Sequence, residues 1–248
     1  MTLDVSFALA IPHTPWKTER RESLERLTDA LEIGDGQPFL HHFRTFCDRE
    51  ANYVWSEKLW TWAAGSGCSH LLQLQDDAIV APNFWTHLRA MVEANPLHVI
   101  GLEAAHPHGP NVEGCWYATT DMLIGVGYIV PIPALREFLE WRGKLRKGAV
   151  ESLNEDQMLG LWCFVTERFI YHPVPTLIDH DTEIPSTYKN DDHQHRRPTV
   201  TWRDRPMPEW WTANRVPNFG RFYQATPKLA RRWVPGVTEE DFAKWVST

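Results

Sequence analysis

Four short clusters in this sequence carry residue types able to do chemistry. The first is Gln75-Asp76-Asp77, at the end of the apolar run His70–Gln75. Two carboxylates leaving an apolar strand are costly unless water or a cation takes them. Hard oxygen ligands of this kind suit Mg2+ or Mn2+, which also bind phosphate oxygens. The plainer alternative is a polar turn leading to Pro82. The second cluster is Gly125-Val126-Gly127-Tyr128, inside the apolar run Met122–Val130. A strand glycine marks the close approach of a ligand or another backbone, or else a bulge or tight packing. The third is Asn154-Glu155-Asp156. Acids in the first turn of a helix are stabilised by its dipole; one aimed into a cleft is also a general base. The fourth is Ile178-Asp179-His180-Asp181. A histidine between acids is either a metal ligand oriented by a carboxylate or an ordinary loop histidine.

Such groups need a frame, and the hydrophobic pattern supplies one. Asp4–Ile11 predicts a buried strand that stops at Pro12. Leu24, Leu27 and Leu31 give Glu19–Leu31 a helical stripe. Phe39–Phe43 predicts a strand. Asn52–Ala64 predicts a helix with Trp55, Leu59 and Trp62 on one face. His70–Gln75 is a strand, Pro82 opens a helix to about Ala94, and His98–Leu102 is a strand. His106–Cys115 reads as loop, Met122–Val130 as a central strand and Pro133–Trp141 as a helix. Asn154–Glu167 is a helix with Asn154 as its N-cap, and Phe169–His172 is a strand. This alternation predicts a layered α/β fold with a mainly parallel sheet. Ligands of such sheets sit at the carboxyl ends of the strands. Asp76 and Asp77 fall at one of those ends.

The order of the four clusters resembles a GT-A fold glycosyltransferase. An apolar strand ends in a DxD-like acid cluster (Gln75-Asp76-Asp77). A glycine-containing strand (Gly125-Val126-Gly127), an xED helix start (Asn154-Glu155-Asp156) and a late histidine (His180) follow. The stretch Ala10-Ile11-Pro12-His13-Thr14-Pro15-Trp16, with Glu19-Arg20-Arg21, resembles small GT-A-like proteins of tailed phages and bacteria. So does Leu74-Gln75-Asp76-Asp77-Ala78 followed by Pro82-Asn83-Phe84-Trp85. The resemblance implies a GT-A-like (Rossmann-like) mixed, mainly parallel sheet flanked by helices over residues 1–185. It also implies a metal-dependent transfer of sugar from a nucleotide-sugar, by family habit a UDP-sugar, to a hydroxyl acceptor. Gln75 stands where the family has an acid, so Asp77, with Asp76 and His180, is assigned the Mn2+ or Mg2+. Pro12, His13 and Thr14 border the base and ribose. Arg20 or Arg21 assists the phosphates, unless both lie on a solvated helix face. Gly125 and Gly127 let donor sugar or acceptor approach the backbone. Asp156 is the base of a single, inverting displacement, and Glu155 is expected to point elsewhere.

Residues 186–248 read as an irregular basic extension packed on that body. From Lys189 to Pro235 there are ten Lys and Arg against four Asp and Glu, inside a chain of net charge −7. Trp202, Trp210, Trp211, Phe219, Phe222, Tyr223 and Trp233 are interleaved with these cations. Such interleaving suits single-stranded or flipped-base nucleic acid, which points to a hydroxymethylated pyrimidine in phage DNA as acceptor. It equally suits a tail that wraps an acidic body, and a saccharide or protein acceptor stays open. Competing readings of the same acids are a metal-dependent nucleotidyltransferase or phosphohydrolase, and a non-catalytic nucleotide-sugar or nucleic-acid binding module.

The 248 residues are 43% hydrophobic and 23% charged, ordinary for a globular chain, which excludes disorder over most of the length. No run approaches the roughly 20 apolar residues of a membrane span. Met1–Ile11 has no basic region or cleavage site of a secretory signal. Cys47, Cys68, Cys115 and Cys163 are scattered, as reduced thiols of a cytoplasmic protein are. His193-Gln194-His195 near His180 lacks the companion motif of a zinc site. A phosphate-binding GxxxxGK[ST] loop and a GxSxG elbow are both absent.

Overall fold

The computed structural model describes residues 4–33, 37–47, 49–103, 117–119, 126–145, 147–181, 183–184, 201–204, 206–208 and 225–240. Strand and helix alternate as the pattern predicts. The order is β1 (Phe7–His13), α1 (Thr18–Ala30), β2 (Leu40–Cys47), α2 (Asn52–Ala64), β3 (His70–Leu74), β4 (Ala78–Val80), α3 (Phe84–Ala94) and β5 (Val99–Gly101). Then come β6 (Tyr117–Thr119), β7 (Gly127–Pro131), α4 (Ile132–Arg142), α5 (Lys147–Ser152), α6 (Glu155–Val165), β8 (Ile170–His172), β9 (Ile178–His180) and α7 (Ala225–Trp233).

Seven strands form one sheet in the order β2-β1-β3-β7-β5-β8-β6. β2, β1, β3, β5 and β8 run one way; β7 and β6 run against them. This is the mixed, mainly parallel sheet flanked by helices that a GT-A-like chain leads one to expect. β1 is buried along its whole length, as a parallel strand covered on both faces must be. Side chains alternate between the faces. Phe7, Leu9 and Ile11 join Leu27, Leu31, Leu88 and Met91 on the side of α1 and α3. Ala8 and Ala10 join Leu59, Trp60, Phe138 and Trp162 on the side of α2, α4 and α6.

Three departures from the expected frame matter. Pro12 does not end β1, which runs on to His13 beside β2. The β1–β3 ladder stops at Ala10 and Gln73, so the N–H that Pro12 lacks is not needed on that side. Residues 178–180 are not loop but strand β9, paired antiparallel with β4 through Ala78 and His180. A short helix, α5, stands where no periodicity signalled one. Parts of the basic extension lie against the body: Thr201 bridges Thr176, and Ala230 of α7 is buried in the core. The Trp233 ring fills the place a side chain would need at Gly148. Among the described residues no helix is long and apolar enough to cross a membrane.

Candidate functional site

A tight turn follows β3. The Gln75 N–H donates to Val126 C=O at 2.8 Å, and the Ala78 N–H donates back to Gln75 C=O at 3.1 Å. Asp76 and Asp77 are the middle of this turn, at the carboxyl end of a parallel strand. Three other segments meet them there.

Asp76 is fully engaged. Arg20 Nη1 donates to its Oδ1 at 2.7 Å. The Thr14 N–H donates to Oδ2 at 3.0 Å, and His13 Nδ1 stands 2.9 Å from the same oxygen. A carboxylate only accepts, so His13 carries its proton on Nδ1. The acid thereby ties the end of β1 and the first turn of α1 to the end of β3.

Asp77 is completely buried. Arg20 Nη1 lies 2.5 Å and His180 Nε2 2.9 Å from its Oδ2. Both are close charge contacts, and by strict geometry neither Asp77 oxygen has a hydrogen-bond partner among the described residues. β9 delivers His180, and the Asp181 N–H donates to the Asp77 carbonyl at 2.9 Å. Burial alone would raise the Asp77 carboxyl; His180 and Arg20 outweigh it and hold the carboxyl below its ordinary value. Burial alone would likewise strip the proton from His180; Asp77 and then Glu103 reverse that and raise the imidazolium. Arg20 loses to burial but gains more from Asp77 and Asp76.

The structure brings Asp76, Asp77, His180 and Arg20 into one buried cluster. Arg20 is only 5% exposed, not on a solvated face; Arg21 is the exposed one, donating to the Pro15 carbonyl and Thr18 Oγ1, both at 3.1 Å. Glu103 was missed. It is buried at the end of β5, where the Leu102 N–H bonds Gly127 C=O at 2.9 Å. The signal was there: Glu103 follows the apolar run Val99–Leu102 as Asp76 follows β3.

Gly127 serves packing rather than a ligand. A Cβ there would overlap Ile178 Cδ1 and come within 2.9 Å of Leu74 Cδ2. Its missing side chain lets Ile178 seat, and β9 with it. Gly125, Cys115, His193, His195, Arg196, Arg197 and Arg205 lie outside the described residues. Arg203, from the segment read as a nucleic-acid surface, pairs with Asp179 at 3.1 Å.

Asp156 and Glu155 open α6, on the other face of the sheet. Asn154 caps the helix and receives the Gln157 side chain on its N–H at 3.2 Å. Asp156 is half-buried and accepts the Gln157 N–H at 2.7 Å. Glu155 points elsewhere, as expected: it is buried and accepts a hydrogen bond from Asn52 Nδ2.

The expected divalent ion does not fit this arrangement. Its ligands would be the facing oxygens of Asp76 and Asp77, and Arg20 Nη1 already stands between them. Asp76 Oδ2 is spent on His13 and Thr14. Arg20 brings a positive charge to both acids.

No family model matches the chain, and no curated protein matches it. Similar solved structures include a protein from STIV, at 13% identity over 71% of this chain and 86% of that one, TM-score 0.44. Mannose-1-phosphate geranyltransferase from Thermus thermophilus matches at 14% identity over 69% of this chain and 73% of that one, TM-score 0.42. GalNAc-T7 with UDP, GalNAc and Mn2+ matches at 9% identity over 77% of this chain and 47% of that one, TM-score 0.45.

Proposed function

We propose that this chain is a glycosyltransferase that moves a sugar from a nucleotide-sugar to a hydroxyl acceptor with inversion. The observation that carries the reading is the convergence of His13, Arg20, Asp76, Asp77 and His180 from four segments onto the carboxyl ends of β1 and β3. That is where an open α/β sheet takes its ligand. The buried cluster is the floor on which the diphosphate end of the donor lies. Trp16, 45% exposed with Arg49 at 5.0 Å from its ring, borders the base beside His13 and Thr14. Arg20 and His180 supply positive charge as the diphosphate leaves. Asp156 takes the proton of the acceptor hydroxyl while its oxygen attacks the anomeric carbon and the bond to the diphosphate breaks. A placed base contributes about 10²–10⁴ in rate. The donor is a UDP-sugar in this reading. Arg203, bound to Asp179, supports a fastening role for the basic extension over a DNA-binding one.

The test is nucleotide release from a panel of UDP-, GDP- and TDP-sugars, with hydroxymethylpyrimidine DNA and simple saccharides as acceptors. The expected result is release of one nucleoside diphosphate, with Asp156→Asn retaining donor binding and losing transfer. Release of pyrophosphate would replace the reading with nucleotidyl transfer. Transfer at the wild-type rate by Asp156→Asn would remove it as the base.

A further inference from the structure

We infer that Arg20 is the resident cation of this site, and that the acid pair Asp76–Asp77 works without a divalent metal ion. The inference rests on the glycosyltransferase reading only for its consequence, that donor binding survives a chelator.

The geometry is the first ground. Arg20 Nη1 is 2.7 Å from Asp76 Oδ1 and 2.5 Å from Asp77 Oδ2. Mg2+ bridging those oxygens sits about 2.0–2.1 Å from each, in the space the guanidinium nitrogen fills. The two cations exclude one another.

The remaining ligands are the second ground. His13 Nδ1 and the Thr14 N–H hold Asp76 Oδ2 at 2.9 and 3.0 Å. His180 turns Nε2 to Asp77 Oδ2 at 2.9 Å, so that nitrogen meets an acid rather than an ion. Among the described residues neither Asp77 oxygen has a hydrogen bond, but Oδ2 is taken by the charge contacts with Arg20 and His180, which leaves Oδ1. One carboxylate oxygen is a poor start for an ion that asks for about six oxygens.

The third ground is that Arg20 cannot swing aside cheaply. It sits on the buried stripe of α1 with Ser23 and Leu27. Withdrawing it would leave two buried carboxylates against His13 and His180 alone. An exposed arginine would give way to a metal; this one is built in.

The experiment is a Mn2+ titration followed by electron paramagnetic resonance, on the full chain without nucleotide. For the wild type, the signal of free Mn2+ should persist undiminished at millimolar metal, and Mn2+ should not shift the thermal midpoint. Arg20→Ala empties the position and should take up one Mn2+, with a midpoint that rises as the metal is added. Arg20→Lys keeps a charge there and should exclude Mn2+ as the wild type does. Uptake of one Mn2+ by the wild type, lost in Asp77→Asn, would overturn the inference. So would a folded Arg20→Ala protein that binds no Mn2+. Should Arg20→Ala fold poorly, the wild-type and Arg20→Lys titrations decide the matter. No donor enters the titration, so failure of the nucleotide-release assay leaves its result intact. Where that assay does succeed, release should continue in EDTA at the rate seen with Mn2+.

Discussion

Strand β3 has buried polar groups on two sides, and they are handled in opposite ways. Toward α1 and β9, Asp76 and Asp77 meet Arg20, His13 and His180. Toward α2 and α6, Gln73 accepts from the Tyr128 hydroxyl, which accepts from Trp60 Nε1 at 3.2 Å, and Glu155 lies nearby with Asn52. Both sides exclude water. On the first, counter-charges are present and Asp77 stays ionised below its ordinary range. On the second there is no described cation at the acid: burial, then the Asp156 charge, pushes Glu155 from 4.5 up to about 8, and burial also raises Tyr128. Burial alone does not decide whether an acid is charged; the partner does.

The largest test of this contrast is Arg20→Ala. Removing one member of a buried ionic cluster leaves uncompensated charge, and about 3–5 kcal/mol of stability should vanish in urea unfolding. A loss under 1 kcal/mol would mean that Asp76 and Asp77 do not depend on it. Next come opposite pH slopes. Asp77 has a depressed folded value, so its contribution is present above its ordinary 3.8 and lost as pH falls through the lower folded value. Asp77→Asn should flatten that acid limb. Glu155 has a raised folded value, so the unfolded chain ionises first; wild-type stability falls as pH rises from 4.5 to about 8 and levels above it. Glu155→Gln should remove that fall, a difference on the order of a few kcal/mol at pH 8. Parallel slopes for the two variants would end the comparison. Gly127→Ala forces Ile178 and Leu74 apart and should cost about 1–3 kcal/mol, with weaker protection of β9 amides in hydrogen exchange. Smallest is Tyr128→Phe, which breaks the Trp60–Tyr128–Gln73 chain and should cost about 1–2 kcal/mol with the ionic side unchanged.

Much of this was legible in the residues. The α2 helix begins and ends where its apolar spacing says, and Asn154 caps α6 as read. The meeting of Asp77 with His180, far apart in the chain, followed from motif order. The choice between Arg20 and Arg21 could have been made from the sequence: Arg20, Leu24, Leu27 and Leu31 share one helical stripe, and a charge on an apolar stripe announces a buried partner. β9 was hidden because three residues, Ile178–His180, are too few for a period to show. The role of Gly127 was hidden because its reason is Ile178, about fifty residues away, which no local pattern reports. Ligand approach and tight packing are both open for this glycine in the sequence, and the structure places Ile178 and Leu74 where its side chain would be.

The site is sewn from distant stretches: His13 meets Asp76 across 63 positions, and His180 follows Asp77 by more than a hundred. A chain growing on the ribosome at roughly 5–20 residues per second spends about 5–20 s between exposing Asp77 and exposing its histidine. Throughout that interval Arg20, already synthesised, is the counter-charge that the folded site will place on Asp77. Of the segments that form the site, β9, which pairs with β4, is the last in the chain. Contacts of such long separation form slowly, and a nascent chain stopped short of residue 180 would carry its acid pair half-dressed.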